Sequence, residues 1–266
     1  MVKYDGPSRM QKVPVRLPDG RQGVAFRRVG SATAAPSPAI GQHLAASTRQ
    51  LTDSAPPTLA GQPIPLATFD EVFHIGTLNP DDQRRNYRES YEGSGLSISQ
   101  HPDDWRTIAR LGGYPTWTAT KTGNAFLARW DLTAEQEHAI NQWGVANGYL
   151  EEVTRWQVTG YDSEQDCDYT FDCDTYEAAL READDDPSVV HEVRTLAVTD
   201  KLSALTGTTS GDTASAFDLA LTVYTEHETG FDGVWWDDDY SPLALSCPRG
   251  VIFADRLDGW AFAATD

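Results

Sequence analysis

Cysteine is scarce. The three thiols, Cys167, Cys173 and Cys247, are too few and too odd in number for a disulfide framework, and none sits in a Cys-x-x-Cys pair. Reduced thiols in a cytosolic protein are expected, and a Cys167–Cys173 bridge is not. Positive charge is also scarce: 21 Lys plus Arg face 40 Asp plus Glu, for a net charge of −19. That balance excludes a protein that coats nucleic acid, which needs clustered cations, and peripheral attachment to anionic lipid. Lysine itself occurs only at Lys3, Lys12, Lys121 and Lys201. High acid, little lysine and modest aliphatic content suggest a halophilic, soluble protein. No apolar run reaches bilayer-spanning length, and Met1–Asp5 lacks the apolar core of a signal peptide. A cytoplasmic location with no membrane partner is expected.

The 266 residues suit one large domain with an extension. Residues 1–66 form that extension. Two short apolar runs around Asp19-Gly20 suggest a hairpin over 13–26, and 31–65 has the Ala/Ser/Thr/Pro/Gly composition of a linker. Its basic excess (Lys3, Arg9, Lys12, Arg16, Arg21, Arg27, Arg28 and Arg49 against Asp5, Asp19 and Asp53) fits either a leader or an arm that docks on an acidic surface.

Residues 67–266 read as the globular part. Strands are predicted over 72–76, 96–99, 117–119, 125–130, 154–161, 234–236 and 250–253, the last taken as the final core strand. Helices are predicted over 102–111, 133–147, 175–183 and 213–225, with Thr133 and Gln136 forming a capping box. Strands mixed with separate helices predict an α+β fold: a compact mixed or antiparallel sheet with flanking helices. Eleven acids crowd 162–186, read as an acidic insertion. Asp162–Asp168 imitates an EF-hand loop but has Cys167 in place of its glycine and Cys173 in place of its closing Glu, so a solvated acidic face is expected. No metal-ligand, phosphate-loop or dinucleotide signature occurs.

Three stretches place polar groups inside apolar strands. In Phe73-His74-Ile75-Gly76-Thr77, the glycine permits close backbone approach beside a histidine. In Gly95-Leu96-Ser97-Ile98-Ser99, both hydroxyls fall on one strand face, followed by His101 and Trp105. In Phe231-Asp232-Gly233-Val234-Trp235-Trp236, adjacent tryptophans point to opposite faces, one to a core and one free to line a groove.

In this order the three stretches resemble the ADP-ribosyltransferase-like fold, in outline over about 69–262. The resemblance implies NAD as cofactor-substrate and a macromolecular acceptor of ADP-ribose, in a toxin-like transferase. It implies that His74 holds the nicotinamide-side ribose and that Gly76 gives backbone contacts to the nicotinamide amide. Ser97 or Ser99 would brace the site, and Tyr91 or Trp105 would stack on the ring. Trp236 lies in the matching last motif. The family's usual catalytic Glu position holds Arg249, suited to an anionic ligand group. Glu226 and Glu228, a Glu-x-Glu pair upstream of the Asp-Gly turn, are the candidate catalytic carboxylates. The competing expectation is a non-catalytic interaction protein: a virion or assembly component tied to neighbours by its N-terminal arm, or an acidic inhibitor of a DNA-binding enzyme.

Overall fold

The computed structural model describes residues 10–16, 21–28, 57–69, 71–79, 95–121, 127–129, 131–162, 167–213, 215–237 and 246–265. In chain order the strands are β1 (Met10–Arg16), β2 (Gln22–Arg28), β3 (Thr58–Leu59), β4 (Gln62–Pro63), β5 (Leu66–Ala67), β6 (Glu71–Ile75), β7 (Gly95–Ser99), β8 (Thr116–Lys121), β9 (Leu127–Arg129), β10 (Leu150–Asp162), β11 (Cys167–Cys173), β12 (Val190–Val198), β13 (Gly233–Trp236), β14 (Arg249–Phe253) and β15 (Trp260–Ala264). The helices are α1 (Pro102–Ile108), α2 (Ala134–Ala146), α3 (Tyr176–Glu182), α4 (Asp200–Thr206) and α5 (Ala216–Glu228). This is an α+β fold. A ten-stranded sheet runs β1-β2-β15-β8-β6-β7-β14-β13-β9-β5. Its pairings are antiparallel except β13 with β9.

Several elements follow local chemistry. The Thr133 hydroxyl accepts from Gln136 N while the Gln136 side chain accepts from Thr133 N, so two orphan donors at the start of α2 are satisfied reciprocally. Thr175 and Thr199 cap α3 and α4 in the same sense. Gly95 is required by space as well as by backbone: its φ is +145°, and a Cβ there would stand 2.2 Å from Ile252 O on β14.

Each face of the large sheet carries its own core. Trp235, Ile252, Leu96, Ile98, Val72, Trp260 and Phe262 pack on one face. Trp236, Val234, Val251 and Phe253 point the other way, under Leu219, Ala220 and Val223 of α5 and Ile140 of α2. The two tryptophans do point to opposite faces, but both are core, each 2 % exposed. The sheet curls around the first cluster. Lys121, on β8, reaches Asp232 at the start of β13, although β6, β7 and β14 lie between them in strand order. Its Nζ donates to both carboxylate oxygens at 2.5 Å, in a pair whose side chains are 13 % and 5 % exposed.

The structure corrects several sequence expectations. The final core strand is β15, not 250–253. Trp260–Ala264 lacks a polar/apolar alternation because both its faces are largely covered, and small alanines give it little signal. β15 pairs with β8 on one side and β2 on the other. The expected hairpin is β1–β2, and through β15 it belongs to the main sheet; the boundary placed between 66 and 67 falls inside β5. The turn residues Asp19 and Gly20 lie outside the described residues, as does most of the linker. The last long helix starts after Ser215 rather than at Thr213 and runs through Glu228, so Glu226 and Glu228 sit in a helix rather than a loop.

The acidic segment contributes β11 to a second sheet, β11-β10-β12, and also α3, which lies against that sheet through Trp156 and Tyr176, whose rings lie 4.8 Å apart. Cys167 and Cys173 stand at opposite ends of β11, six residues or about 20 Å apart, too far for a bridge. Cys173 and Cys247 are free thiols. Among the described residues, no helix is long and apolar enough to cross a membrane.

Candidate functional site

β6 and β7 are assigned one ladder pair, Phe73 with Ser99. Beyond it a side chain takes over. A ring nitrogen of His74, Nδ1, is hydrogen-bonded to the carbonyl of Ser97 at 2.8 Å, and Nε2 faces Thr77 O at 3.1 Å. The ring is buried, with His74 3 % exposed. With carbonyls at both nitrogens, a doubly protonated ring donates twice and a neutral ring once. His74 therefore bridges a seam in the sheet.

Gly76 follows directly. Its N–H donates to Pro115 O at 2.9 Å, and its carbonyl accepts from Trp117 Nε1 at 2.9 Å. The two backbone groups that the resemblance assigns to a nicotinamide amide are thus engaged within the chain.

Register places four residues in one row across four strands: Phe73 opposite Ser99, Ser99 opposite Arg249, and Arg249 opposite Trp236. Ser97 lies two residues along β7, opposite Val251, on the same face. His74, by contrast, shares its strand parity with Val72 and the Trp235 face, and meets this row only through the Ser97 carbonyl.

Within the row, Ser99 is committed to structure: its Oγ donates to Pro248 O at 2.8 Å and accepts from His101 N at 3.0 Å, tying the β7–α1 turn to β14. Ser97 Oγ is different. It is buried and has no hydrogen-bond partner among the described residues. The guanidinium of Arg249 lies 5.6 Å from the ring centroid of Trp105, over which α1 brings it. Burial lowers the Arg249 pKa to about 10, which leaves it charged at neutral pH. Trp236 Nε1 donates to Asp218 Oδ1 at 2.8 Å. Burial raises the Asp218 pKa, and the indole bond opposes that shift in part.

Glu226 and Glu228 stand elsewhere. Ten residues of helix, about 15 Å, separate Asp218 from Glu228. Glu228 accepts from Trp143 Nε1 at 3.3 Å. The pair borders an aromatic group in which Trp143 stacks on Tyr149 and meets Tyr224 edge-on. Burial first, then the charges of Glu226 and Glu228, raise the Tyr149 pKa; burial and Glu228 raise that of Tyr224. Tyr91 lies outside the described residues.

The structure thus gathers Ser97, Ser99, Trp105, Trp236 and Arg249, roots them against His74 and Gly76, and sets the Glu-x-Glu pair at the other end of α5. Sequence reasoning missed Asp218 and Lys121. A carboxylate inside the apolar run Ala216–Val223 was the available signal for the first; one of only four lysines, at a strand end, was a faint one for the second. Among the described residues, no group of three or more His, Cys, Asp or Glu side chains is placed to hold a metal ion. No family model, curated protein or solved structure matches the chain.

Proposed function

We propose that the chain is an ADP-ribosyltransferase-like protein that binds NAD over the seam between β6 and β7. The observation that carries this reading is the Ser97 hydroxyl. Among the described residues it has no partner, and a buried hydroxyl in that state destabilises a fold by about 1–3 kcal/mol, so a ligand group that displaces its cover and bonds it recovers that energy. The charged Arg249 beside Trp105 supports an anionic and aromatic ligand, as NAD is. Transfer breaks the bond between nicotinamide and ribose, releases neutral nicotinamide, and passes positive charge to the ribose. A carboxylate stabilises that charge, and an acceptor nucleophile then forms the new bond and loses its proton. Asp218 is the carboxyl bonded into the Arg249–Trp236 row, which favours it over Glu226 and Glu228 for this role.

NAD titration followed by tryptophan fluorescence and by release of labelled nicotinamide tests the reading. Binding that Ser97→Ala weakens tenfold or more is expected. Absence of both binding and release at millimolar NAD refutes it. A second reading, a non-catalytic interaction protein, is favoured by the closed state of Gly76 and His74, whose polar groups already have partners in the chain. It expects no NAD response and a stable complex with another macromolecule or with itself.

A further inference from the structure

Each of the two larger sheets ends in a seven-residue edge strand, and the two edges are opposites. β1 closes one side of the ten-stranded sheet, and β11 closes one side of the three-stranded sheet. Along β1, Lys12, Pro14 and Arg16 are exposed and alternate with half-buried Val13 and Val15. Along β11, Asp168, Thr170 and Asp172 alternate with Tyr169 and Phe171. Tyr169 and Phe171 are among the few exposed large apolar side chains of the described chain, at 40 % and 36 %, and their rings stack at 5.9 Å. Tyr169 lies flat over Gly160, where a Cβ would meet its ring. Among the described residues no strand pairs with the outer side of β11. The far edge of the same sheet, β12, is tied at its end: Val198 N donates to Asp212 O, and Gly211 N donates to Val198 O.

We propose that β11 receives the β1 edge of a second copy of this chain, joining the two sheets. A single antiparallel register matches the last five positions of β1 with the central five of β11: Lys12 meets Asp172, Val13 meets Phe171, Pro14 meets Thr170, Val15 meets Tyr169, and Arg16 meets Asp168. Opposite charges and aromatic–β-branched pairs are the cross-strand combinations that stabilise a ladder. The alternation is symmetric about Thr170, so a parallel register matches the types too; antiparallel pairing makes the stronger ladder. β11 against β11 is disfavoured, because Asp168 and Asp172 would face their own kind, and β1 against β1 fails in the same way with Lys12 and Arg16. Pro14 removes one donor, so the ladder is incomplete and the contact reversible. The two edges are different surfaces, so the contact is head-to-tail and extends from copy to copy into a ring or filament.

Sedimentation of the full chain at low and high salt tests the proposal, with two charge-reversed variants. The wild-type chain is expected to associate with rising concentration at low salt and to dissociate as salt screens the charges. Asp168→Lys/Asp172→Lys makes both edges basic, and Lys12→Glu/Arg16→Glu makes both acidic. Each variant alone is expected to sediment as a monomer with unchanged circular dichroism. An equimolar mixture is expected to associate again, since each edge then meets its opposite. A monomeric wild-type chain at several hundred micromolar and low salt overturns the proposal, as does association that either reversal leaves intact, or a mixture of folded variants that stays monomeric.

Discussion

Replacing Lys121 with methionine isolates the ion pair that closes the curl of the sheet. The ammonium bonds both oxygens of Asp232, and Asp232 is 4 % exposed. Methionine fills a similar volume but leaves the carboxylate buried without its cation. Losing one member of a buried pair destabilises by about 3–5 kcal/mol. Lys121 keeps 13 % side-chain exposure, so water reaches the pair and the lower end applies, about 3 kcal/mol. A chain of this size loses roughly 2–4 °C of melting temperature per kcal/mol, so a fall of about 6–12 °C is expected. The double variant Lys121→Met/Asp232→Leu removes both charges and is expected to regain most of that loss, since a buried ion pair is worth little over apolar side chains that fill its space. Urea unfolding of the wild-type, both single variants and the double variant gives the four corners of the cycle. Single variants within 1 kcal/mol of the wild-type chain would refute the assignment of a desolvated pair. So would a double variant as unstable as the sum of the singles.

Three other substitutions probe the site and its frame. Asp218 has a raised pKa in the folded state, so its protonated form stabilises the fold. That contribution is present below the unfolded carboxyl pKa and is lost as pH rises through the folded value. Asp218→Asn keeps an acceptor for Trp236 Nε1 and removes the titration; its melting temperature relative to the wild-type chain is expected to rise between pH 4 and pH 7, and a constant difference would refute the burial argument. Gly95→Ala drives a Cβ into Ile252 O at a positive φ, and is expected to cost several kcal/mol or to prevent folding. Gly148→Ala, at φ +69° with nothing within 4 Å, carries only the backbone term, about 1 kcal/mol. Equal effects of the two in thermal melts would show that the β7–β14 contact is not tight.

What was legible in the sequence was local. The capping box at Thr133, the opposed tryptophans and the α+β class follow from neighbouring residues, and each is present. What was illegible is long in range. Asp232 reads as a turn residue, yet its partner is 111 positions away. His74 reads as a ligand-holding side chain, yet its ring is bonded to the Ser97 carbonyl 23 positions away. Glu226 and Glu228 read as candidate catalytic carboxylates upstream of the Asp-Gly turn, but sequence distance to that turn says nothing of which end of α5 the pair occupies. β15 was missed because a strand covered on both faces has no alternation to detect.

The place of β15 in the sheet also sets a schedule. β2 is laddered to the rest of the sheet through β15, where Ala25 meets Ala261, 236 residues later. At roughly 5–20 residues per second, on the order of 10–50 s of synthesis separate the two. For that interval β1 and β2 have no sheet to join. The outer strand is the one that carries Pro14, Lys12 and Arg16, side chains that discourage pairing with any edge that does not offer acidic partners. β1 and β2 are thus made long before the strand that holds them in the sheet, and their composition suits the wait.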